Sequence, residues 1–324
     1  MIWLFLVALL LLSWFVYRRR ANRRLVRPPV LDETGRPYDR IEVRLSDGHT
    51  VPLIDTGPGP AGLSAPAILL IPGADGMRET WRFQIPVLAR RYRVLAPDLR
   101  TEIPGGATFD LFCRDAGEIL DARGVSDAVI VGQSLGGAIA LRFAVLDPER
   151  TRALVIANSL ARVSYDHVGL NRTLLVPVAM ATTRYLPTVA ARWFARLWSR
   201  LEVWMFDGSP GSERVIDYAL WTGPRTVPAR VSAARVDLLK DEDLRPGLAA
   251  IRAPTLVMKG PRDRYVPVAW SREIADLIPR SRYAEVPGTG HVAHISMPDT
   301  FNRILLDWLD EIGHTADFGR PTRE

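Results

Sequence analysis

The chain has 324 residues, 48% hydrophobic and 24% charged. That balance excludes a disordered chain and suits one large domain carrying an insertion. The formal net charge of +6 does not mark a nucleic-acid binder, because Arg18, Arg19, Arg20, Arg23, Arg24 and Arg27 account for all of it; the rest of the chain carries 36 basic against 36 acidic residues, with no global basic excess.

The first element, Ile2 to Tyr17, is almost wholly apolar. As a helix it would span about 24 Å at ~1.5 Å per residue, slightly short of a hydrocarbon core of about 30 Å, and the arginines that follow could snorkel to complete the span. A cleaved signal peptide would need a basic residue before the run and a small-x-small site after it, and neither is present. Residues 1–20 are therefore expected to form a single-pass membrane anchor with a basic flank. The Arg18–Arg27 cluster would attract anionic head groups and hold the rest of the chain on the cytosolic side. Residues 21–37, with Pro28, Pro29 and Pro37, read as a stiff linker.

Two strand patterns follow, near Arg40–Leu45 and Thr50–Ile54, separated by the turn Ser46-Asp47-Gly48. Short apolar runs then appear at Ala67–Ile71, Tyr92–Ala96, Ala128–Val131, Ala153–Ala157, Pro254–Met258 and Tyr283–Val286. Helical patterns stand between or after them, at about Thr108–Ala122, from beyond Ser134 to Leu146, and at Asp299–Ile312. The lone cysteine, Cys113, lies in the first of these; it excludes an internal disulfide and reads as a packing residue. Wholly apolar strands alternating with amphipathic helices predict a doubly wound α/β domain with a mostly parallel sheet, the first hairpin being antiparallel at its edge. Residues 38–159 and 244–312 would be the two parts of this core, and 313–324 a polar tail. In such sheets ligands bind beyond the carboxyl ends of the strands, so the polar residues just after each strand are the candidates for chemistry.

Gly132-Gln133-Ser134-Leu135-Gly136-Gly137 follows one strand and opens a helix. A sharp turn of this kind presents a serine hydroxyl above the sheet, with small residues on either side allowing close backbone approach. Serine needs a base to act as a nucleophile. Of the five histidines, His49 falls in the first hairpin, His314 in the tail, and His291 directly after the last strand pattern. His291 is the expected base, with His294 facing elsewhere. Asp263, after the strand Pro254–Met258, is the carboxylate expected to orient it. The backbone N–H groups of Leu135 and of Ala74, one residue beyond Pro72-Gly73, are the expected oxyanion donors. No cofactor or metal is required.

With these residues in the order Ser…Asp…His, the chain resembles the α/β-hydrolase superfamily, in particular its capped esterase and C–C hydrolase-like members. The resemblance runs from about Tyr38 to Ile312 and rests on Leu69–Trp81 with Gln84-Ile85-Pro86, Val94–Arg100, Val129–Gly137, Pro254–Pro267 and Val286–His294. It implies a cofactor-free serine hydrolase. Two departures stand out. The family usually has His-Gly before the oxyanion residue, where this chain has Pro72-Gly73, and Pro261 replaces a common acidic residue. Asp75 would also oppose an oxyanion if its side chain pointed inward.

From about 160 to 243 the sheet pattern stops, and a helical cap over the site is expected. Within Thr188–Met205, Arg192, Arg196 and Arg200 share one stripe, opposite Trp193, Phe194, Leu197, Trp198, Leu201, Trp204 and Met205. Such a helix packs on the core or dips into a membrane interface. The sequence thus predicts a membrane-anchored esterase or lipase acting on small or medium apolar acyl esters. C–C hydrolysis, acyl transfer and perhydrolysis are rival reactions of the same triad, and a non-catalytic tethered binding protein is the rival class.

Overall fold

The computed structural model describes residues 2–22, 27, 29–58, 66–162, 174–203, 205–224 and 229–313. His167, Trp204, His314, Arg23 and Arg24, and the tail from 314 onward lie outside the described residues.

Helix α1 (Ile2–Asn22) is followed by strands β1 (Arg40–Arg44), β2 (Thr50–Asp55) and β3 (Ala67–Ile71). Then come α2 (Ile85–Ala89), β4 (Arg93–Pro97), α3 (Phe109–Ala122), β5 (Ala128–Gln133), α4 (Leu135–Leu146) and β6 (Thr151–Ala157). Helices α5 (Val176–Tyr185), α6 (Thr188–Arg200), α7 (Ser212–Thr222), α8 (Ala229–Asp241) and α9 (Arg245–Leu248) precede β7 (Thr255–Lys259). The chain closes with α10 (Val268–Leu277), β8 (Ser281–Glu285), α11 (Ala293–Ser296) and α12 (Pro298–Gly313).

The strands form one eight-stranded sheet in the order β1-β2-β4-β3-β5-β6-β7-β8. The β1–β2 hairpin joins it antiparallel at one edge, and β3 to β8 pair in parallel. Every residue of β3, β5 and β7 is buried, as expected for strands covered on both faces. On one face Leu69, Ile130 and Leu154 pack with Phe109, Phe112 and Ile139. On the other, Ile68, Val129 and Val155 pack with Trp81, Phe301 and Trp308. Cys113 is buried in the first of these layers. Burial pushes its thiol pKa far up, which removes it as a nucleophile.

Helices α5 to α8 form the insertion, with an apolar centre of its own that includes Ala195, Trp198, Phe206, Ile216 and Tyr218 and closes on Val292 and Ile295 of the core. The long helix expected from Thr188 to Met205 ends at Arg200, and Glu202 takes a positive φ of 50°. Its arginine stripe faces α7: Arg192 pairs with Asp217 at 2.6 Å and Arg196 with Glu213 at 2.8 Å. Its apolar residues divide, Trp198 pointing inward while Val189 and Trp193 remain 86% and 63% exposed.

Residues 2–22 are helical, as the sequence predicts, but among the described residues no helix is long and apolar enough to cross a membrane. The apolar run stops at Tyr17, and the end of α1 packs on the insertion. Trp14 Nε1 donates to the Tyr185 carbonyl at 2.9 Å, the Phe15 and Tyr185 rings lie 4.6 Å apart, and Arg18 reaches the Leu186 carbonyl at 3.4 Å.

The approach of α4 to β3 depends on glycine. A Cβ on Gly136 would stand 2.3 Å from the Ile71 carbonyl oxygen, whereas one on Gly105 would meet nothing within 4 Å. Gly136→Ala should therefore cost about 3 kcal/mol and lower Tm by roughly 5–10 °C, with Gly105→Ala near wild type. Circular-dichroism melts of the two variants check this; equal melting temperatures would show that the sheet yields freely at this point.

Candidate active site

Ser134 occupies the turn between β5 and α4 with φ 54° and ψ −120°, one of three positive-φ non-glycine residues described. That strained conformation costs of order 1–3 kcal/mol and holds only because the surroundings leave no alternative. Ser134 N–H donates to the Ala157 carbonyl at 3.0 Å, and the Ser159 hydroxyl donates to the Ser134 carbonyl at 2.6 Å. A Cβ on Gly132 would stand 2.1 Å from the Gly136 carbonyl oxygen, so no side chain fits two residues before the serine.

His291 follows β8 on the segment that turns into α11. Its Nε2 lies 3.1 Å from Ser134 Oγ and its Nδ1 lies 3.0 Å from Asp263 Oδ2. The three expected residues are therefore brought together, all at most 7% exposed. Gln133 donates to the His291 carbonyl at 3.1 Å, Asp207 accepts the Gly290 N–H at 2.6 Å, and the Tyr265 ring stands edge-on to the imidazole at 5.0 Å.

Asp263 has five hydrogen-bond partners. Oδ1 accepts the N–H groups of Tyr265 at 2.8 Å and Val266 at 2.9 Å. Oδ2 receives Lys259 Nζ at 2.5 Å, Asn158 Nδ2 at 3.0 Å and His291 Nδ1 at 3.0 Å. Burial by itself would raise the carboxyl pKa, but the interactions with His291 and Lys259 outweigh it and hold the group well below the usual carboxylate range. Lys259 is 0% exposed and also donates to the Val266 carbonyl at 2.6 Å. Burial lowers its pKa against the pull of Asp263.

Lys259 and Asn158 are absent from the residues picked out by sequence. The strand pattern in the sequence ends at Met258, one residue before Lys259; β7 continues through it and buries it. Asn158 stands at the carboxyl end of β6, where ligand-binding positions are sought, and takes φ 48°. Its amide bridges Asp263 and the Gly290 carbonyl, the latter at 2.9 Å.

The loop carrying Ala74 lies against the serine: a Cβ on Gly73 would approach Ser134 Cβ to 3.6 Å. Leu135 opens α4, so its N–H belongs to the first helical turn, which has no intrahelical acceptor. Asp75 is turned toward the insertion, where the Tyr218 hydroxyl bonds its Oδ2. His49 lies in the β1–β2 turn.

His294 is buried against Trp81, ring centroids 4.8 Å apart, with Nε2 2.9 Å from the Thr80 hydroxyl. Burial, reinforced by neighbouring His291 and Arg82, takes its pKa down to about 3 from an ordinary 6.5. Between those values the unfolded chain binds a proton that the folded chain refuses. The stabilisation is complete above pH 6.5 and is lost as pH falls, at a slope approaching about 1.4 kcal/mol per pH unit. Melts of His294→Gln between pH 6.5 and 4 should fall less steeply than wild type; parallel slopes would mean that His294 is not the group responsible.

The family model for the alpha/beta hydrolase fold matches residues 66–298. RutD from Azorhizobium caulinodans, named as a candidate carbamate hydrolase, is 32% identical over 259 residues, covering 76% of this chain and 91% of that protein. A 2-hydroxy-6-oxo-6-phenylhexa-2,4-dienoate hydrolase from Burkholderia cepacia is 31% identical over 254 residues, 74% of this chain and 84% of the relative. Among solved structures, a hydrolase from Pseudomonas aeruginosa PA01 superposes with a TM-score of 0.64 at 25% identity, covering 84% of this chain and 98% of that one. A membrane phospholipase A gives a TM-score of 0.64 over 96% of this chain and 94% of its own, a likeness of fold alone at 20% identity. From the extent of these matches and the sheet order around the Ser134 turn, the chain belongs to the α/β-hydrolase fold family.

Proposed function

We propose that this hydrolase cleaves apolar acyl esters through an acyl-enzyme on Ser134. The observation that carries the reading is the unbroken chain from Ser134 Oγ through His291 to Asp263, at 3.1 Å and 3.0 Å. Ser134 Oγ attacks the ester carbonyl carbon while His291 Nε2 takes its proton. Asp263 holds the other ring nitrogen and stabilises the imidazolium. The N–H groups of Ala74 and Leu135 receive the charge that develops on the carbonyl oxygen. Collapse of the tetrahedral species breaks the bond to the alkoxy oxygen, and His291 returns the proton to the departing alcohol. Water then adds to the acyl carbon, its proton passing to His291, and the acid leaves as Oγ regains a proton. Val292, next in the chain to His291, belongs to an apolar cluster with Phe206 and Ile295, which suits an apolar acyl group. The insertion is the cap that would select it.

Likeness to a relative named for C–C bond hydrolysis favours a second reading with the same three residues and a carbon leaving group. A panel of p-nitrophenyl esters of increasing acyl length together with a vinylogous diketone, given to wild type and to Ser134→Ala, tests both. Ester turnover that falls roughly 10⁴-fold or more in the variant is the expected outcome. Turnover confined to a vinylogous diketone would put C–C hydrolysis first. No turnover of either, with no labelling of Ser134 by a fluorophosphonate, would put a non-catalytic binding protein first.

We further propose that α1 tethers the enzyme to a lipid surface on the cytosolic side. Phe5, Leu10 and Leu11 are 69%, 70% and 64% exposed, a group of bare large apolar side chains of the kind that marks an interaction surface. Arg18 and Arg20 follow them, and the exposed Val189 and Trp193 lie on α6, which packs against α5 through Trp198 and Thr182 at 3.1 Å. The whole protein should float with vesicles containing anionic lipid, and protein lacking residues 1–27 should not. Equal flotation of the two would remove α1 as the tether.

A further inference from the structure

The loop from Pro72 to Met77 carries Ala74, whose N–H is one of the two donors assigned to the oxyanion. Proline at position 72 has no side-chain donor with which to brace that loop. Three consecutive residues of it are instead contacted by the insertion or shaped to receive it.

Arg235, on α8, is 0% exposed and spends its guanidinium on the core. Nη1 donates to the Ala74 carbonyl at 3.0 Å, and Nη2 donates to the carbonyls of Leu99 at 3.0 Å and Arg100 at 2.8 Å. Tyr218, on α7 and 1% exposed, donates its hydroxyl to Asp75 Oδ2. Gly76 lies under the guanidinium: it has φ +67°, and a Cβ there would stand 2.1 Å from Arg235 Nη1. The turn is closed by Gly76 N–H to the Gly73 carbonyl at 2.9 Å and by Leu99 N–H to the Gly76 carbonyl at 3.0 Å.

Burying a guanidinium is costly unless its donors are satisfied. Here Nη1 and Nη2 are met by main-chain carbonyls of the loop after β3 and the loop after β4, while Nε has no hydrogen-bond partner among the described residues. Burial draws the Arg235 pKa down to about 10, with Asp75 and Asp98 opposing the shift, so the group remains charged at neutral pH. Simple attachment of the insertion needs only apolar contacts, which Ala195, Phe206 and Ile216 already supply. A fixed cation on the carbonyl of Ala74 does something more specific: it pins the backbone of the residue whose N–H must face the developing oxyanion.

We propose that Arg235 and Tyr218 are positioning residues for the oxyanion loop, so that the insertion must be seated on the core for Ser134 to turn over at full rate. This rests on the serine-hydrolase reading above. The bracing that this family usually takes from a histidine ahead of the oxyanion residue is supplied here from the insertion, and Asp75 serves as its attachment point instead of facing the oxyanion.

The test compares wild type, Arg235→Met and Tyr218→Phe in kcat, KM and inhibition by a trifluoromethyl ketone, whose tetrahedral adduct on Ser134 needs the oxyanion donors. Each variant should lose about 10- to 100-fold in kcat with KM within about threefold. Affinity for the ketone should fall in proportion to kcat/KM. In Arg235→Ala, added guanidinium ion should restore part of the lost rate by filling the vacated site. A change in KM alone, or a lowered Tm with kcat and ketone affinity unchanged in the folded fraction, would overturn the proposal and leave both residues with a packing role. Should Arg235→Met fail to fold, Tyr218→Phe, which removes only one hydroxyl, decides by the same readouts. Absence of Ser134-dependent turnover in wild type would instead count against the hydrolase reading, so the two failures are distinguishable.

Discussion

A buried negative charge organises the carboxyl end of the sheet. Asp263 is enclosed, and an enclosed carboxylate persists only if its lone pairs are met by donors and its charge by cations. Meeting that demand draws on β6 through Asn158, on β7 through Lys259, on its own loop through the N–H groups of Tyr265 and Val266, and on the segment after β8 through His291. Four separate stretches of chain are thereby held to one pair of oxygens. The imidazole is locked in orientation as a by-product of solving a solvation problem. Lys259 shares Oδ2 with His291, so the carboxylate facing the imidazole is already partly neutralised, an arrangement that holds geometry firmly while tempering the stabilisation of an imidazolium.

The serine is held by sterics instead of charge. Its left-handed backbone is enforced by the near contact of the chain at Gly132 and Gly136 and by the bonds to Ala157 and Ser159. Close packing of α4 on the ends of β3 and β5 leaves the hydroxyl facing the imidazole and the helix N-terminus facing the place where an oxyanion would form. One partner is set by electrostatics and the other by excluded volume, and their meeting at 3.1 Å depends on the sheet that carries both.

The insertion changes how the remaining part of the site is built. Its arginines do not make a free basic face: Arg192 and Arg196 are spent on α7, and Arg235 is spent on the loops after β3 and β4. It is thus bonded within itself by surface ion pairs, each worth little, and to the core by a buried cation, whose loss would be felt much more. Its outer side, with Val189 and Trp193, remains apolar and exposed, and α1 rests on the same body through Trp14, Phe15 and Arg18.

Most of the core was determined by the sequence by itself. Runs such as Ala67–Ile71 and Ala128–Val131 are apolar at every position, which only a strand buried on both faces tolerates, and the order of strands and helices follows from their alternation. The places of Ser134, Asp263 and His291 were legible for a related reason: each is a polar residue in the segment that follows a strand, and the sheet brings such segments to one end. Lys259, Asn158, Tyr218 and Arg235 were not legible. A lysine ending a strand, an asparagine in a turn and an arginine on a helix resemble solvated residues until their partners are known, and those partners lie up to 161 residues away. The extent of α6 was equally hidden, since a hydrophobic pattern carries on past the point where Glu202 turns the backbone. Local pattern reports which face of an element is apolar. Only the tertiary structure decides which buried charge each polar group must satisfy, because that depends on what the rest of the chain brings beside it.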